Sequence, residues 1–562
     1  MKPITVAIAQ LDFTVGAIKR NTETMLHCLG QHEDADIVVF PELAVTGYPP
    51  EDLLFRSDFE QLVNDALTRI ADAAQQQVAI VGHPQRMGSE LFNSVSVLHR
   101  GKCLARYHKQ RLPQYGVFDE QRYFIPGHEA CVFDWQGHRI GVLVCEDLWH
   151  PEPLKRTREA GADWIVSLNA SPYEVDKHEQ RLHVLQQRVH ESGLPIVYVN
   201  NCGGQDELVF DGHSMVVDSD GQVVAELPHC QPTVALVHFA ATGIRPLDAA
   251  HSPQPIVEGK AEITTQRLEQ VRQALVLAIR DYVTKNGFKG VTLGLSGGID
   301  SALTLALAVE ALGATAVHAV MMPFRYTSKM SLEDAEQQAR TLGVKYDVIA
   351  IEPIYESFLQ QLAPQLADHS PDVTEENLQA RSRGVLLMAL SNKTGSLVLT
   401  TGNKSELAVG YCTLYGDMCG GFAPIKDVPK TMVFALSRHI NTVAGEQLIP
   451  QRVIERPPSA ELAPGQTDQD SLPEYEVLDK IISLYVEQDW APSEIVDAGF
   501  SQADVLRVVR LIDINEYKRR QGAVGPKITS RNFNKDRRYP ITNHFRYEME
   551  RQLTTEARHE KN

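Results

Sequence analysis

At 562 residues the chain is longer than one hydrophobic core usually supports, so two or more domains are expected. A content of 43% hydrophobic and 22% charged residues is that of a globular protein and excludes a disordered or fibrous chain. The 54 basic and 72 acidic residues leave a formal charge of −18, which opposes bulk binding of nucleic acid or of an anionic membrane surface, so neither is expected as a partner.

In chain order, residues 1 to about 240 carry short β-branched runs: Ile4 to Ala9, Ile37 to Phe40, Val78 to Val81, Ile140 to Val144, Trp164 to Leu168 and Ile196 to Val199. Polar stretches of helical character, Thr22 to Gly30 and Lys177 to Ser192, lie between some of them. This alternation predicts a layered α/β domain over 1–245. The pattern then dissolves into Gly, Pro, Ala and His, including Ser252-Pro253-Gln254-Pro255, so 246–262 reads as a linker and 263–562 as a second domain. That domain opens with a predicted helix from Thr264 to Lys285, with Leu268, Val271, Leu275 and Ile279 at three- to four-residue spacing, stopped by Asn286-Gly287. Predicted strands at Val291 to Leu295, Ala316 to Met321, Tyr346 to Ile351 and Ser396 to Thr400 alternate with helices. They imply a doubly wound parallel sheet, whose ligands belong at the carboxyl ends of the strands.

No run of about 18 apolar residues is present, and the stretch from Met1 to Asp12 reaches a carboxylate too soon for a secretory leader, so a cytoplasmic location is expected. The eight cysteines, Cys28, Cys103, Cys131, Cys145, Cys202, Cys230, Cys412 and Cys419, include no Cys-x-x-Cys pair. That spacing argues against both a zinc site and a disulfide frame.

The most informative stretch is Gly294-Leu295-Ser296-Gly297-Gly298-Ile299-Asp300-Ser301, which follows an apolar strand and opens an Ala- and Leu-rich helix. Three glycines and two serines let backbone N–H groups and hydroxyls approach phosphate oxygens, and a helix N-terminus favours negative charge there. The ending of a Walker A loop and the spacing of a Rossmann fingerprint are both absent. A glycine-rich strand-to-helix turn without a ligand is the plainer reading. The stretch resembles the phosphate loop of the ATP pyrophosphatases. That resemblance implies cleavage of ATP between its α and β phosphates to form an adenylate, from which a nitrogen or sulfur nucleophile displaces AMP.

In the first domain, Glu42 and Cys145 each end an apolar run, and Lys109 stands between a strand and the turn at Leu112-Pro113. A carboxylate at the tip of an apolar strand is costly unless paired or working, which makes Glu42 a candidate general base. A thiol, a carboxylate and an ammonium on three strand ends can build an acyl-transfer site of nucleophile, base and oxyanion stabiliser. Taken singly, such residues are more often a structural cysteine, a helix cap or a solvated lysine.

The segments Pro41 to Leu54, His108 to Glu120 and Val144 to Trp149 resemble the three catalytic segments of the nitrilase superfamily. The run Thr46-Gly47-Tyr48-Pro49-Pro50-Glu51-Asp52 is similar to the glutaminase domain of the glutamine-dependent NAD synthetase family. The resemblance implies an α-β-β-α sandwich, with Glu42 as base, Lys109 as oxyanion stabiliser and Cys145 as the residue that forms a glutamyl thioester. It also implies that Tyr115, Ser171 and Lys177 surround L-glutamine; Lys177 could equally be a solvated helix residue.

In the second domain, Glu376 to Gly384, Gly410 to Asp417, Val428 to Thr431, Pro458 to Leu462 and Asn515 to Gln521 resemble the NAD synthetase family in order and approximate spacing. The likeness assigns the loop 294–301, Thr401, Lys430 and Ser459 to ATP. It assigns Asn377, Arg381, Glu406, Asp417 and Lys518 to deamido-NAD+. Mg²⁺ prefers hard oxygen ligands, a need that Asp300 and Glu406 meet; the plainer readings are a helix N-cap and a first-turn acid. The basic stretch from Lys518 to Arg538 is expected to supply cations to the two polyphosphates, with a solvated or nucleic-acid-binding patch as the alternative. Compact ammonia-dependent members carry a lysine and an aspartate near Leu414 and Gly421, so backbone contacts are expected there. The implied activity is glutamine-dependent NAD+ synthesis with an enclosed ammonia passage and a homo-oligomeric assembly. Another ATP pyrophosphatase ligase or thiolase, fed by a nitrilase-type ammonia source, is the alternative.

Overall fold

The β-branched runs pair into sheets in the computed structural model, which describes residues 2–240, 243–251, 264–459, 461–463, 468–470, 472–543 and 545. The chain divides into two units, Met1–Glu262 and Ile263–Asn562. Of the expected linker, residues 252–262 lie outside the described residues, whereas Gly243–Pro246 forms an edge strand against Thr233–Ala240.

Among the described residues of the first unit, a seven-stranded sheet runs in the order Gly243–Pro246, Thr233–Ala240, Ile4–Gln10, Ile37–Val39, Val78–Met87, Glu90–His99 and Lys102–His108. A six-stranded sheet runs Val223–Glu226, Met215–Val217, Ile196–Asn200, Trp164–Asn169, His138–Val144 and Cys131–Trp135. Side chains alternate across each strand, so Ile4, Val6 and Ile8 join the core shared by the two sheets. Ala7 and Ala9 of the same strand face the other way, into a core closed by helices Ile18–Gln31 and Ser57–Ala73 through Met25, Leu29, Val63 and Ile70. Helices Pro151–Glu159 and Lys177–Ser192 cover the second sheet through Leu154, Leu182, Leu185 and Val189. The result is the α-β-β-α sandwich that the resemblance implied.

The hairpins of the first sheet were not legible as strands. His83, Asn93, Ser94 and Ser96 are buried polar residues that break the apolar alternation. Their turns are nevertheless encoded: Arg100 and Gly101 both take positive φ between the paired His99 and Lys102, as a two-residue hairpin turn requires.

Among the described residues of the second unit, four parallel strands lie in the order Lys345–Val348, Val317–Met321, Val291–Gly294 and Leu397–Leu399. The chain winds outward from Val291–Gly294 in one direction, then returns to place Leu397–Leu399 on its other side. That reversal opens a crevice at the carboxyl ends of these two strands. The expected strand from Tyr346 to Ile351 stops at Val348, because Ile351 already caps helix Glu352–Leu366. Helices Tyr475–Ile482 and Gln502–Ile514 add a helical core in which Leu478, Ile481, Val505, Val508 and Ile512 pack on Ala408 and Val409.

Candidate active sites

Three strand ends of the first unit meet at one buried ion cluster. Glu42 follows Ile37–Val39, Lys109 follows Lys102–His108, and Cys145 follows His138–Val144. The Lys109 ammonium, fully buried, donates to Glu42 Oε1 at 2.7 Å and to Glu120 Oε1 at 2.8 Å. Glu42 is held further by Asn93 Nδ2 at 2.7 Å and by the Ala170 amide at 3.0 Å, and Glu120 by the Tyr48 hydroxyl at 2.8 Å. The backbone of Gly82 presses on the Glu42 segment so closely that a Cβ there would lie 2.5 Å from Leu43 N and 2.6 Å from Pro41 O.

Burial alone would lower the Lys109 ammonium, but Glu120 and Glu42 hold it well above its ordinary value, so it stays charged. Burial, then the neighbouring Glu42, pushes Glu120 up to about 7 against the pull of Lys109. The Cys145 thiol is raised well above its usual value by burial and then by Glu42, with Lys109 opposing. A thiol in such a place stays protonated until attack, so its proton must leave to a base in the same step.

Cys145 adopts φ +44, a left-handed conformation that costs a β-carbon residue on the order of 1–3 kcal/mol, and opens the short turn Cys145–Trp149. Asp147 in that turn fixes it. Its carboxylate accepts from the amides of Val144 at 3.0 Å, Gln110 at 3.0 Å and Arg111 at 2.8 Å, and from the Tyr107 hydroxyl at 2.8 Å. The turn bearing the thiol and the loop bearing the lysine therefore share one anchor.

Of the residues expected around glutamine, two contact the nucleophile turn. The Tyr115 hydroxyl donates to Glu146 Oε2 at 2.9 Å, and the Lys177 ammonium stands 4.7 Å from the centre of the Trp149 ring. Ser171 follows Ala170, whose amide holds Glu42, and its hydroxyl accepts from the buried Arg181 at 3.0 Å. Sequence reasoning missed Glu120, Asn93, Asp147 and Tyr48 as members of the cluster. Glu120 closes the segment His108 to Glu120, and that position was the available signal.

In the second unit, loop 295–298 joins Val291–Gly294 to helix Ile299–Leu312, and Gly297 takes φ +80. A Cβ on Gly297 would lie 2.4 Å from Ser331 O, so only glycine fits this turn. Ser296 Oγ accepts from the Gly298 amide at 3.2 Å, and the Ser296 amide donates to Ser301 Oγ at 3.3 Å. From the other side of the crevice, Asn403 caps helix Lys404–Val409 by accepting from the Glu406 amide at 3.0 Å and donates to Asp300 Oδ1 at 2.8 Å. Thr401 lies between this cap and the end of Leu397–Leu399, partly buried.

Lys430, at the start of helix Lys430–Ala444, donates to Asp300 Oδ2 at 2.5 Å and to Glu406 Oε1 at 2.9 Å, with the Tyr475 ring centre 5.3 Å away. Burial raises Glu406 to about 7 against the attraction of Lys430; Lys430 itself is held well above its usual value by both carboxylates, which overcome its burial. Two hard oxygen donors thus converge on one cationic position, a set that fits Mg²⁺, and the charge there is a lysine ammonium.

The other expected residues gather on residues 410–417. Asn377 Oδ1 accepts from Thr413 Oγ1 at 2.9 Å, Asp417 Oδ1 accepts from the Thr413 amide at 2.8 Å, and Arg381 Nε donates to the Leu414 carbonyl at 3.2 Å. Lys518 Nζ donates to the carbonyls of Gly410 at 2.8 Å and Cys412 at 3.0 Å. Ser459 is exposed, and its hydroxyl accepts from the Glu461 amide at 3.2 Å. Arg456, which sequence reasoning passed over, donates to the Gly297 carbonyl and, at 3.0 Å, to Ser331 Oγ, so a cation touches the glycine loop.

The basic stretch differs from expectation. Arg519 and Arg537 are buried against Glu516, and Arg531 and Lys527 pair with Asp489 and Asp536. Buried guanidinium groups need carboxylate or carbonyl partners, so these cations serve the fold.

Taken together, the sandwich with its buried thiol cluster and the parallel sheet with its glycine loop define a carbon-nitrogen hydrolase unit fused to a nucleotide-dependent carbon-nitrogen ligase unit. Residues 5–248 match the carbon-nitrogen hydrolase family and residues 271–522 the NAD synthase family. A glutamine-dependent NAD(+) synthetase of Xanthomonas campestris is 51% identical over 550 residues, 96% of this chain and 98% of the relative. The structure of the glutamine-dependent NAD+ synthetase from Acinetobacter baumannii in complex with ADP matches with a TM-score of 0.77 at 45% identity, over 96% of this chain and 99% of that one. That of the Cytophaga hutchinsonii synthetase shares the fold, with a TM-score of 0.84 at 21% identity over 98% of this chain and 100% of its own. The chain belongs to the glutamine-dependent NAD(+) synthetase family.

Proposed function

We propose that the two units divide one synthesis, the conversion of deamido-NAD+ to NAD+ with L-glutamine as nitrogen donor and ATP as the activating co-substrate. In the first unit Cys145 Sγ attacks the carboxamide carbon while Glu42 takes the thiol proton, and Lys109 stabilises the negative oxygen. Glu42 returns the proton to the departing ammonia, and a water molecule that it then deprotonates hydrolyses the thioester to glutamate. Tyr115, Ser171 and Lys177 hold the substrate's amino-acid end.

In the second unit the nicotinate carboxylate attacks the α-phosphorus of ATP, pyrophosphate leaves, and ammonia displaces AMP from the acyl adenylate. The carboxylate needs this activation because it is a poor electrophile. The loop 294–301, Thr401, Lys430 and Ser459 take ATP, and Asn377, Arg381, Glu406, Asp417 and Lys518 take the dinucleotide. Asp300 and Glu406 would hold Mg²⁺, which supplies charge neutralisation for the departing pyrophosphate. A homo-oligomer and a cytoplasmic location are proposed by likeness to the family.

The observation that carries this reading is the presence in one chain of the buried Lys109–Glu42–Glu120 cluster at Cys145 and the glycine loop facing Asp300, Glu406 and Lys430. Purified protein given deamido-NAD+, ATP, Mg²⁺ and glutamine should release glutamate, AMP, pyrophosphate and NAD+ in equal amounts. Release of ADP and phosphate instead would refute it.

A further inference from the structure

Beginning at His178, next in the chain to Lys177, the first unit carries a histidine cluster to which the proposed glutaminase chemistry gives no role. Helix Lys177–Ser192 brings His178 beside Glu226 at the end of Val223–Glu226, with Nε2 3.2 Å from Glu226 Oε1. His213 follows strand Leu208–Asp211, and its ring centre lies 4.2 Å from that of His178 and 4.8 Å from that of His229. One possible donor atom from each of His178, His213 and Glu226 lies within 4.8 Å of the others.

We propose that His178, His213 and Glu226 form a binding site for a Zn²⁺-class divalent transition-metal ion. Two imidazoles and one carboxylate are a donor set such ions take in four-coordinate sites, leaving one position for water. Zinc to nitrogen or oxygen distances of roughly 2.0–2.2 Å need the donors drawn together by about an ångström, which side-chain rotation of the partly exposed His178 and Glu226 can supply.

Two further observations support the assignment. Nδ1 of His178 is buried without a hydrogen-bond partner, an expense that a ligand or a reoriented ring would remove. Asp211 Oδ2 stands 3.4 Å from His213 Nδ1, and Asp211 is itself anchored by Arg181 at 2.9 Å. A fixed carboxylate behind an imidazole is the arrangement that orients a metal-binding histidine. Cysteine spacing argues only against thiolate sites and is silent on this set.

The test uses the full-length protein stripped of metal by a chelator and returned to buffer with excess Mg²⁺, which fills hard oxygen sites. One equivalent of Co²⁺ should give the visible absorption of a four-coordinate N/O site, and Zn²⁺ should abolish it. His178→Gln and Glu226→Gln should each weaken Co²⁺ and Zn²⁺ binding at least about tenfold. His183→Gln, an exposed residue of the same helix, should bind as the parent does, and the far-UV circular dichroism and melting transition of each metal-free variant report that it is folded. Absence of the Co²⁺ absorption in the parent protein, or unchanged affinity in either His178→Gln or Glu226→Gln, would overturn the proposal.

Discussion

Replacing Glu120 by glutamine isolates the contribution of the residue that sequence reasoning overlooked. Glu120 Oε1 accepts two buried hydrogen bonds, one from the Lys109 ammonium and one from the Tyr48 hydroxyl, both at 2.8 Å. Glutamine keeps the shape and an acceptor but removes the charge. Hydrogen bonds to charged groups contribute about 1.5–3 kcal/mol and neutral ones about 0.5–1.5 kcal/mol, so the two weakened bonds amount to about 2–3 kcal/mol. Expressed in the positioning of Lys109, that is roughly a 30- to 160-fold loss in kcat/KM for glutamate release, while ammonium-supported synthesis is kept. The pH profile gives an independent reading. Glu120 is pushed up to about 7 by burial, and its ionised form is the one that holds Lys109 as an ion pair. Glutamate release should therefore rise through pH of about 7 in the parent, and that step should vanish in Glu120→Gln. Stability moves the other way. A carboxyl whose folded value exceeds its ordinary one favours the folded state below about pH 4.5, and this contribution fades as pH rises through about 7. The thermal midpoint of the parent should thus fall relative to that of the variant between pH 5 and 8 as buffers are exchanged. Unaltered glutamate release with an unaltered profile would refute the role given to Glu120.

Gly82→Ala places a methyl group against the unyielding backbone of Pro41 and Leu43, an overlap that costs about 1–3 kcal/mol and shifts Glu42. Glutamate release should fall with synthesis from ammonium intact; equal loss of both would show that the damage is general. Lys430→Met leaves the Asp300 and Glu406 carboxylates facing each other without their cation, and removing one member of a buried ion group costs about 3–5 kcal/mol. NAD+ formation should be lost with either nitrogen source while glutamate release persists, and the lowered melting temperature should recover partly on adding Mg²⁺. A melting temperature equal to that of the parent would contradict the ion cluster.

What the sequence disclosed was local. Glu42 and Cys145 stood out because each ends an apolar run, and helix Lys177–Ser192 matched its predicted bounds because Asp176 and Gly193 flank it in left-handed conformations. The glycine loop was legible for the same reason, since no core position wants three glycines beside two serines. What stayed hidden depends on distant partners. Glu120 sits in a short polar turn, and its burial is set by Tyr48, which lies 72 residues away in sequence. Lys430 meets Asp300 across 130 residues of sequence, so its place between two carboxylates could not be read from spacing. The cations from Lys518 to Arg538 looked available because nothing local reveals that Glu516, beside its helix neighbour Arg519, also gathers Arg537 from 21 residues on.

The most direct test removes the thiol alone. With deamido-NAD+, ATP and Mg²⁺, the Cys145→Ala protein should form no NAD+ from glutamine and should form it at the parent rate from high ammonium, with AMP as the product of ATP. Undiminished NAD+ formation from glutamine in that variant would contradict the division of labour between the two units.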